Sequence, residues 1–301
     1  LKYFHSLFSE YSVYPEKIKQ LENITSNSFL KQSLRIERIK NYISQTSKNN
    51  KINKYKEALA LIDTVLNTKI NPNTLAEAET LQNQILQKSL SVRLQTTTYP
   101  NQNNRAFLDY KNVDSIKISY YHFPVKNNYL LTNSYTYSTN YKNNKDSLII
   151  NYIQQNKPIK SFTRKLTSSN DFFNHSTEII LEKIDVGNYL VFLETTNDTI
   201  EKKIAFTYEN FQVSNFFIVE DKNEKYDLIY VLDKKTGKPI ENVSIKNEDE
   251  TVYTNKEGKA QFRLRKQIQN KIYNNDILII KENDTLLKKY HRTFIYEREE
   301  N

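Results

Sequence analysis

The polar stretch NDFFNHSTE contains the side-chain types of a hydrolase triad. Asp171, His175, Ser176 and Glu178 could supply an orienting carboxylate, a general base and a nucleophile. A triad, however, is defined by the positions of its side chains in space, and residues adjacent in a polar stretch usually belong to one loop. We therefore predict a solvated loop that precedes a strand, with no catalytic role.

The four histidines are the other candidates for acid–base or metal chemistry. His5, His122, His175 and His291 form neither an H-x-x-H nor an H-E-x-x-H spacing, so no metal site is predicted. The sequence has no cysteine, which excludes a thiol nucleophile, a disulfide and a thiolate-ligated metal within it. No cofactor is predicted.

Paired carboxylates are the remaining candidates for general acid–base catalysis. Asp249 and Glu250 lie in a polar turn, and Glu297, Glu299 and Glu300 lie near the last residue. General acid catalysis requires a carboxyl whose pKa is raised by an apolar pocket, and nothing in the neighbouring sequence indicates one. We therefore expect no catalytic, cofactor-binding or metal-binding residue, and no enzymatic activity in this chain.

Tyrosine is abundant, with 22 residues, and two interpretations of it are open. The segments YYHF, NSYTYSTNY and KIYNND could form an aromatic platform for a sugar or a peptide. The favoured interpretation is structural, because tyrosine rings can be half-buried on a sheet while their hydroxyls stay in water. Residues 127–147 are polar enough towards their end to predict a long exposed hairpin.

Length and charge limit the class of protein. A chain of 301 residues predicts two or three domains. The formal net charge of +9 is dispersed, since residues 209–301 hold 17 basic and 17 acidic residues and no block of five or six like charges occurs. We therefore predict no nucleic-acid partner. No apolar run of about 18 residues is present, so any export signal or lipid anchor is expected upstream.

Apolar residues before residue 92 recur with the spacing of helix faces. Helices are predicted over about residues 29–43, over residues 54–66, and from about Pro72, where Thr74 and Glu77 have the spacing of a capping box. The positions that define these faces are Phe29, Leu30, Leu34, Ile36, Ile39, Ile43, Tyr55, Leu59, Ile62, Leu66, Leu75, Ala78, Leu81 and Ile85. A small helical domain is therefore predicted over residues 1–92.

The pattern then changes to short alternating segments rich in Tyr, Phe, Ile, Val and Thr. Eight such segments, one of them SLIINYIQ at residues 147–154, predict an antiparallel sandwich over residues 93–208. Seven more predict a second sandwich over residues 209–301. Its last two segments meet at END, residues 282–284, which predicts a hairpin.

Two of the three glycines fall between strands of this second sandwich. In LDKKTGKPIENVSI, Gly237 can adopt the positive φ of a tight reversal, and Pro239 favours turn geometry. Gly258 has the same role in TNKEGKAQF. A phosphate-binding loop requires more glycines ahead of a helix, whereas strands follow both of these. We therefore predict two turns.

The succession of these two stretches resembles the beginning of a macroglobulin-like domain. In such domains a strand ends at T-G-K-P, the next carries an alternating V-x-I, and a T-[ND]-x-x-G turn leads into the third. YPNQNNRAFLDYKNVDSIKISYYHF is similar to the opening of the first such domain in bacterial alpha-2-macroglobulin family proteins. GNYLVFLET followed by FTYENFQVSNFFIV is similar to a closing strand that runs into the next domain. The helical region resembles the N-terminal region of the Gram-negative members.

This resemblance implies a multidomain, α plus all-β protein. An N-terminal helical domain, residues 1–92, is followed by two antiparallel immunoglobulin-like (macroglobulin-like) β-sandwiches, residues 93–208 and 209–301. The implied function is that of a scaffold fragment of an exported, broad-spectrum protease inhibitor, in the periplasm or attached to the outer membrane. Such an inhibitor entraps its target proteases after they cleave a bait segment.

The chain departs from the family in one respect. Members that bind proteases covalently carry a thioester motif with Cys and Gln, and this chain has no Cys and no recognisable bait segment. The resemblance therefore implies no chemistry within it. The alternative hypothesis is an exported glycan-binding or peptide-binding module that presents its Tyr-rich loops.

Overall fold

The structure of the protein is a computed structural model. The structure describes residues 14–48, 52–68, 70–130, 141–167, 170–196, 204–222, 226–247, 250–263, 265–266, 276–289 and 294–295. The chain forms two compact units, considered separately below. The first comprises Leu1–Ser89, Tyr110–Asp114 and Leu166–His175, and the second comprises Leu90–Asp109, Ser115–Lys165 and Ser176–Asn301.

The first unit is built on four helices, namely α1 (Tyr14–Ile24), α2 (Ser28–Lys48), α3 (Tyr55–Thr68) and α4 (Pro72–Leu86). Their apolar faces form one core of Ile36, Ile39, Ile43, Ala58, Ile62, Val65, Ala78 and Ile85. The spacing of these residues confirms the helices predicted for α2, α3 and α4. Helix α1, with few apolar residues, was not predicted.

Helix α4 begins differently from the prediction. Its N-cap is Asn71, whose side chain accepts a hydrogen bond from the Asn73 backbone N–H, and Pro72 follows as the first helical residue. Thr74 lies inside the first turn and donates to Gln32 Oε1 at 2.8 Å. The capping box predicted for Thr74 and Glu77 is therefore wrong, because Asn71 provides the cap.

The second unit contains two sandwiches. The strands of the first are β1 (Ser89–Leu94), β2 (Thr97–Thr98), β3 (Asn104–Lys111), β4 (Ser115–His122), β5 (Lys160–Lys165), β6 (Asn174–Leu181), β7 (Gly187–Thr195) and β8 (Phe206–Val213). They form a sheet of order β1-β3-β6 and a sheet of order β2-β8-β7-β4-β5. The pairs β4–β5, β4–β7 and β7–β8 are antiparallel, and the short β2 pairs parallel to β8.

One segment predicted to be a strand is a helix. SLIINYIQ belongs to α5 (Tyr141–Gln155), which follows a 3-10 helix at Val125–Leu130. Ile149 is buried among Tyr121, Phe123, Leu190 and Phe192, with Tyr152 and Ile153 beside it. These three α5 residues have helical spacing, so the helix covers one face of β4 and β7. The predicted hairpin at residues 127–147 lies largely outside the described residues.

The second sandwich has strands β9 (Phe216–Lys222), β10 (Tyr226–Asp233), β11 (Ser244–Lys246), β12 (Thr251–Tyr253), β13 (Lys259–Arg263), β15 (Asp276–Lys281) and β16 (Asp284–Lys289). Its two sheets have the orders β13-β10-β9 and β12-β11-β15-β16. Between these strands lie Phe216, Ile229, Val231, Val243, Ile245, Ala260, Phe262, Ile277, Ile279 and Leu286. The short strands β14 (Arg265–Lys266) and β17 (Phe294–Ile295) pair parallel to each other.

The hairpin predicted at residues 282–284 is confirmed. Lys281 faces Asp284 across a two-residue turn, and Glu282 adopts a φ of 54°. The chain is thus a multidomain α plus all-β protein, with a helical N-terminal region followed by two immunoglobulin-like β-sandwiches. The domain boundaries after residues 92 and 208 stay a prediction. Among the described helices, none combines the length and the apolar composition needed to cross a bilayer.

Candidate functional site

The loop before β6 brings Asp171 and His175 together. His175 Nε2 lies 2.9 Å from Asp171 Oδ1, which also accepts a hydrogen bond from the Phe173 backbone N–H at 3.0 Å. The loop precedes a strand, as predicted, but only Asp171 of the four residues lies in it, because β6 begins at Asn174 and carries His175, Ser176 and Glu178. Ser176 and Glu178 are exposed, whereas Asp171 and His175 are half-buried. The reason is the pair of phenylalanines inside the polar stretch, Phe172 and Phe173.

The other two members of the suspected triad do not join this pair. Ser176 Oγ donates to Asp109 Oδ1 at 2.5 Å, and Glu178 forms an ion pair with Arg105 at 3.0 Å. Since successive side chains of a strand point to opposite faces, His175 and Ser176 are directed apart. Ser176 is therefore not placed beside the Asp–His pair as a nucleophile.

Several contacts hold the loop against the first residue of α3 and the segment before it. Asn53 Nδ2 donates to the Asp171 carbonyl at 2.9 Å. Phe172 adopts a φ of 61°, unusual for a bulky residue, and its ring meets the edge of the Tyr55 ring at 6.3 Å. Phe173 contacts the same ring at 5.6 Å. The aromatic contacts account for the strained backbone.

A cavity of about 230 Å³ opens beside this loop. The Tyr110 ring lies 5.6 Å from the His175 ring, and burial together with the nearby Asp171 charge raises the pKa of the Tyr110 phenol. The cavity is lined by Leu86, Lys88, Tyr110, Asn112, Val113, Asp114, Thr167, Asn170, Asp171, Phe172, Phe173 and His175. The described lining thus combines charged side chains with aromatic rings, and it includes neither serine nor cysteine.

A second feature lies in the other unit, where the two sandwiches meet. Gln212 on β8 donates from Nε2 to the Leu287 carbonyl and accepts at Oε1 from the Leu287 N–H, both at 2.7 Å. Asn188 on β7 donates to the Thr285 carbonyl at 3.3 Å. Side chains of the first sandwich thus bond the backbone of β16, the last strand of the second sheet.

A buried aspartate and a lysine continue this junction. Asp284 Oδ2 accepts from the Asn215 backbone N–H at 2.7 Å. Lys234 Nζ donates to the Thr97 carbonyl at 3.1 Å and lies 4.5 Å from the centre of the Tyr99 ring. Burial lowers the pKa of the Lys234 ammonium, and the Asp284 carboxylate opposes that shift. We use the name sandwich junction for Gln212, Asn188, Asn215, Lys234 and their partners.

The first glycine turn follows Lys234 in the chain, and the second leads into β13. Gly237 and Gly258 have φ values of 69° and 67°, which confirms the predicted turns. Asp233 Oδ1 accepts from the Thr236 hydroxyl and backbone N–H, and these hydrogen bonds hold the pKa of the carboxyl below its usual value. Backbone geometry is therefore sufficient to explain the turn sequence.

The other residues that the sequence singles out either pack against neighbouring side chains or lie outside the described residues. The His122 ring stacks on Tyr189 at 5.5 Å. In YYHF, Tyr120 and Tyr121 are buried, in agreement with the structural interpretation of tyrosine. Within the described ranges, no group of three His, Asp or Glu side chains is placed to hold a metal ion. His5, His291, Asp249, Glu297, Glu299 and Glu300, and most of the other two Tyr-rich segments, lie outside the described residues.

Comparison with known proteins gives no match to a protein-family model and none to a curated protein sequence. Among solved structures, a three-domain fragment of native Escherichia coli alpha-2-macroglobulin is similar with a TM-score of 0.44 and 12% identity, over 67% of this chain and 64% of that one. A two-domain fragment of the same protein gives 0.44 and 12%, over 68% and 97%. A mutant of Salmonella alpha-2-macroglobulin gives 0.36 and 11%, over 66% and 12%. These low values assign no function to this chain.

Proposed function

We propose that this chain is a scaffold region of an exported alpha-2-macroglobulin-like protease inhibitor, without enzymatic chemistry of its own. The observation that carries the proposal is the sandwich junction. Gln212 bonds both backbone groups of Leu287 in the second sandwich at 2.7 Å, and Asn188 bonds the Thr285 carbonyl at 3.3 Å, so the two sandwiches form a directly coupled pair. Coupled sandwiches are what a frame needs if a distant cleavage is to move large parts of a protein together.

The order of sequence features supports the same proposal. Helices, a first sandwich and a second sandwich follow one another, and the second opens with the turns at Gly237 and Gly258. In the described part of the chain, Ser176 bonds Asp109 and lies apart from His175, which favours a scaffold over a hydrolase. The target proteases, the periplasmic or outer-membrane location and an upstream lipid anchor belong to this proposal.

The test uses the full-length parent protein and a broad-specificity protease. After incubation, a trapping inhibitor blocks cleavage of a large protein substrate while a small chromogenic peptide is still cleaved. Undiminished cleavage of the large substrate contradicts the proposal.

A junction variant then tests the scaffold role of this region. We expect Gln212→Ala to weaken trapping, whereas Gln261→Ala, an exposed glutamine on β13, leaves it unchanged. Equal trapping by both variants argues against a role for the junction.

A further inference from the structure

The connection between the two sandwiches is two residues long. Only Ser214 and Asn215 separate β8 from β9. The Asn215 carbonyl accepts from the Lys234 backbone N–H at 2.7 Å, and the Asn215 backbone N–H donates to Asp284 Oδ2, also at 2.7 Å. A lysine and an aspartate of the second sandwich therefore lie on either side of one connecting residue.

The side chain of Lys234 holds the edge of the first sandwich. Its Nζ donates to the Thr97 carbonyl at 3.1 Å and lies 4.5 Å from the centre of the Tyr99 ring. The Tyr99 hydroxyl donates in turn to the Lys234 carbonyl at 3.2 Å. Thr97 belongs to β2, a two-residue strand at the end of its sheet. We use the name β2 edge for residues 97–99, which Lys234 ties to the second sandwich.

The Asp284 carboxylate lies beside this tie, and one of its oxygens is unpaired. Asp284 is 7% exposed and Thr98 is 3% exposed. Within the part of the chain that the structure describes, Asp284 Oδ1 and Thr98 Oγ1 are buried and have no hydrogen-bond partner. A buried oxygen without a partner destabilises the arrangement that contains it. Burial lowers the pKa of the Lys234 ammonium, and the Asp284 charge opposes this shift, so the two groups are electrostatically coupled.

We propose that Lys234 is a two-position latch between the sandwiches. In the closed position, which this structure shows, the ammonium bonds the β2 edge. In the released position it turns to Asp284 Oδ1 and frees the β2 edge. The flexible four-carbon stem of lysine allows this exchange while the backbone bonds of Asn215 persist. Release gains a charge-assisted hydrogen bond and pairs the buried oxygen, but it loses the contact with the Tyr99 ring, so each position has its own stabilising contact.

The released position changes how the two sandwiches are joined. The hydrogen bonds between Gln212 and Leu287 do not involve Lys234 and stay in place. The sandwiches then remain joined at β16 and can separate at the β2 edge. Because this movement takes place within the chain, the proposal does not depend on the protease-inhibitor proposal.

Distance measurement between two spin labels on the 301-residue chain tests the latch. The sequence has no cysteine, so Gln95→Cys near the β2 edge and Lys256→Cys in the second sandwich, both exposed, take the labels specifically. Tyr99→Leu removes the ring that favours the closed position, and we expect a second, distinct distance in that variant. Adding Asp284→Asn should lower the population at this distance about tenfold, which is the effect of one hydrogen bond to a charged group on an equilibrium.

Matched controls separate the latch from general effects of substitution. Asp284→Asn keeps an oxygen for the Asn215 N–H, and circular dichroism establishes that each variant is folded. Glu282→Gln removes an exposed carboxylate from the same hairpin and should leave the second distance unchanged. In the otherwise native chain, Lys234→Met should broaden the distance, whereas Lys235→Met, at an exposed neighbour, should not. A single distance in every variant overturns the proposal, as do equal effects of Asp284→Asn and Glu282→Gln.

Discussion

Gly258→Ala should destabilise the second sandwich more than Gly237→Ala, although both glycines adopt nearly the same φ. A Cβ at Gly237 meets nothing within 4 Å, whereas a Cβ at Gly258 lies 2.5 Å from the Val231 carbonyl oxygen and 3.0 Å from Pro239 Cβ. The backbone there cannot yield easily, because the Val231 N–H donates to the Gly258 carbonyl at 2.8 Å. Relief of the clash requires weakening that bond.

The loss in the free energy of unfolding has two contributions, the backbone conformation and the steric clash. An L-residue in left-handed geometry costs about 1–2 kcal/mol, and this cost applies to both variants. Forcing an atom into a packed site adds about 1–3 kcal/mol, which applies to Gly258→Ala alone. At about 4–8 °C of Tm for each kcal/mol in a domain of fewer than about 100 residues, the Tm values of the two variants should differ by about 4 °C or more.

Thermal and urea unfolding of the 301-residue chain provide the assay. Because a multidomain chain need not unfold in one step, amide exchange of β10 and β13 should be followed as well, as a local readout. We expect faster exchange in both strands for Gly258→Ala and little change for Gly237→Ala. Equal unfolding midpoints and equal amide exchange rates in the two variants refute the steric argument, since only the cost of a positive φ would then remain.

Three further changes give measurable results. Glu22 on α1 forms ion pairs with two arginines of α2, so Glu22→Gln should cost about 1.5–3 kcal/mol. Because these arginines, against the effect of burial, lower the folded-state pKa of Glu22, its ionisation stabilises the fold above the unfolded-state pKa near 4.5, and this stabilisation is lost as the pH falls through the folded-state pKa. In urea unfolding measured over a pH series, the Glu22→Gln variant should lack this loss of stability in acid. Gln212→Ala should leave the Leu287 backbone groups without partners, cost about 1–3 kcal/mol and accelerate amide exchange at Leu287. Phe172→Ala should cost about 1–3 kcal/mol by removing the ring beside Tyr55, with increased proteolysis of the loop as the readout.

Elements with strong local signals could be predicted from the sequence. The periodic apolar faces of α2, α3 and α4 and the turns at Gly237 and Gly258 are confirmed, because each depends on residues close together in the chain. Helix α5 was predicted wrongly, since a short apolar run such as SLIINYIQ fits a strand and a helix equally well. The packing of Ile149 against β4 and β7, distant in sequence, decides between them.

The sequence identifies some residues of the candidate site but not how their side chains are arranged. Asp171 and His175 stand out in the sequence and do meet, at 2.9 Å. The sequence does not show in which direction each side chain points. Because side chains alternate along β6, Ser176 points away from His175 and bonds Asp109. The two phenylalanines that bury the loop were visible in the polar stretch, and their presence was the available signal for a half-buried loop.

The sandwich junction illustrates why coupling between domains is difficult to infer from sequence. The Gln212 carboxamide offers a donor and an acceptor to one residue, Leu287, as the backbone of a neighbouring strand does. It extends a sheet-like contact from β8 to β16 without placing the two strands in one sheet. A single polar side chain in an alternating strand carries no local sign of this role. A two-bond link between the two sandwiches is therefore formed by a residue that strand patterns alone assign to solvent.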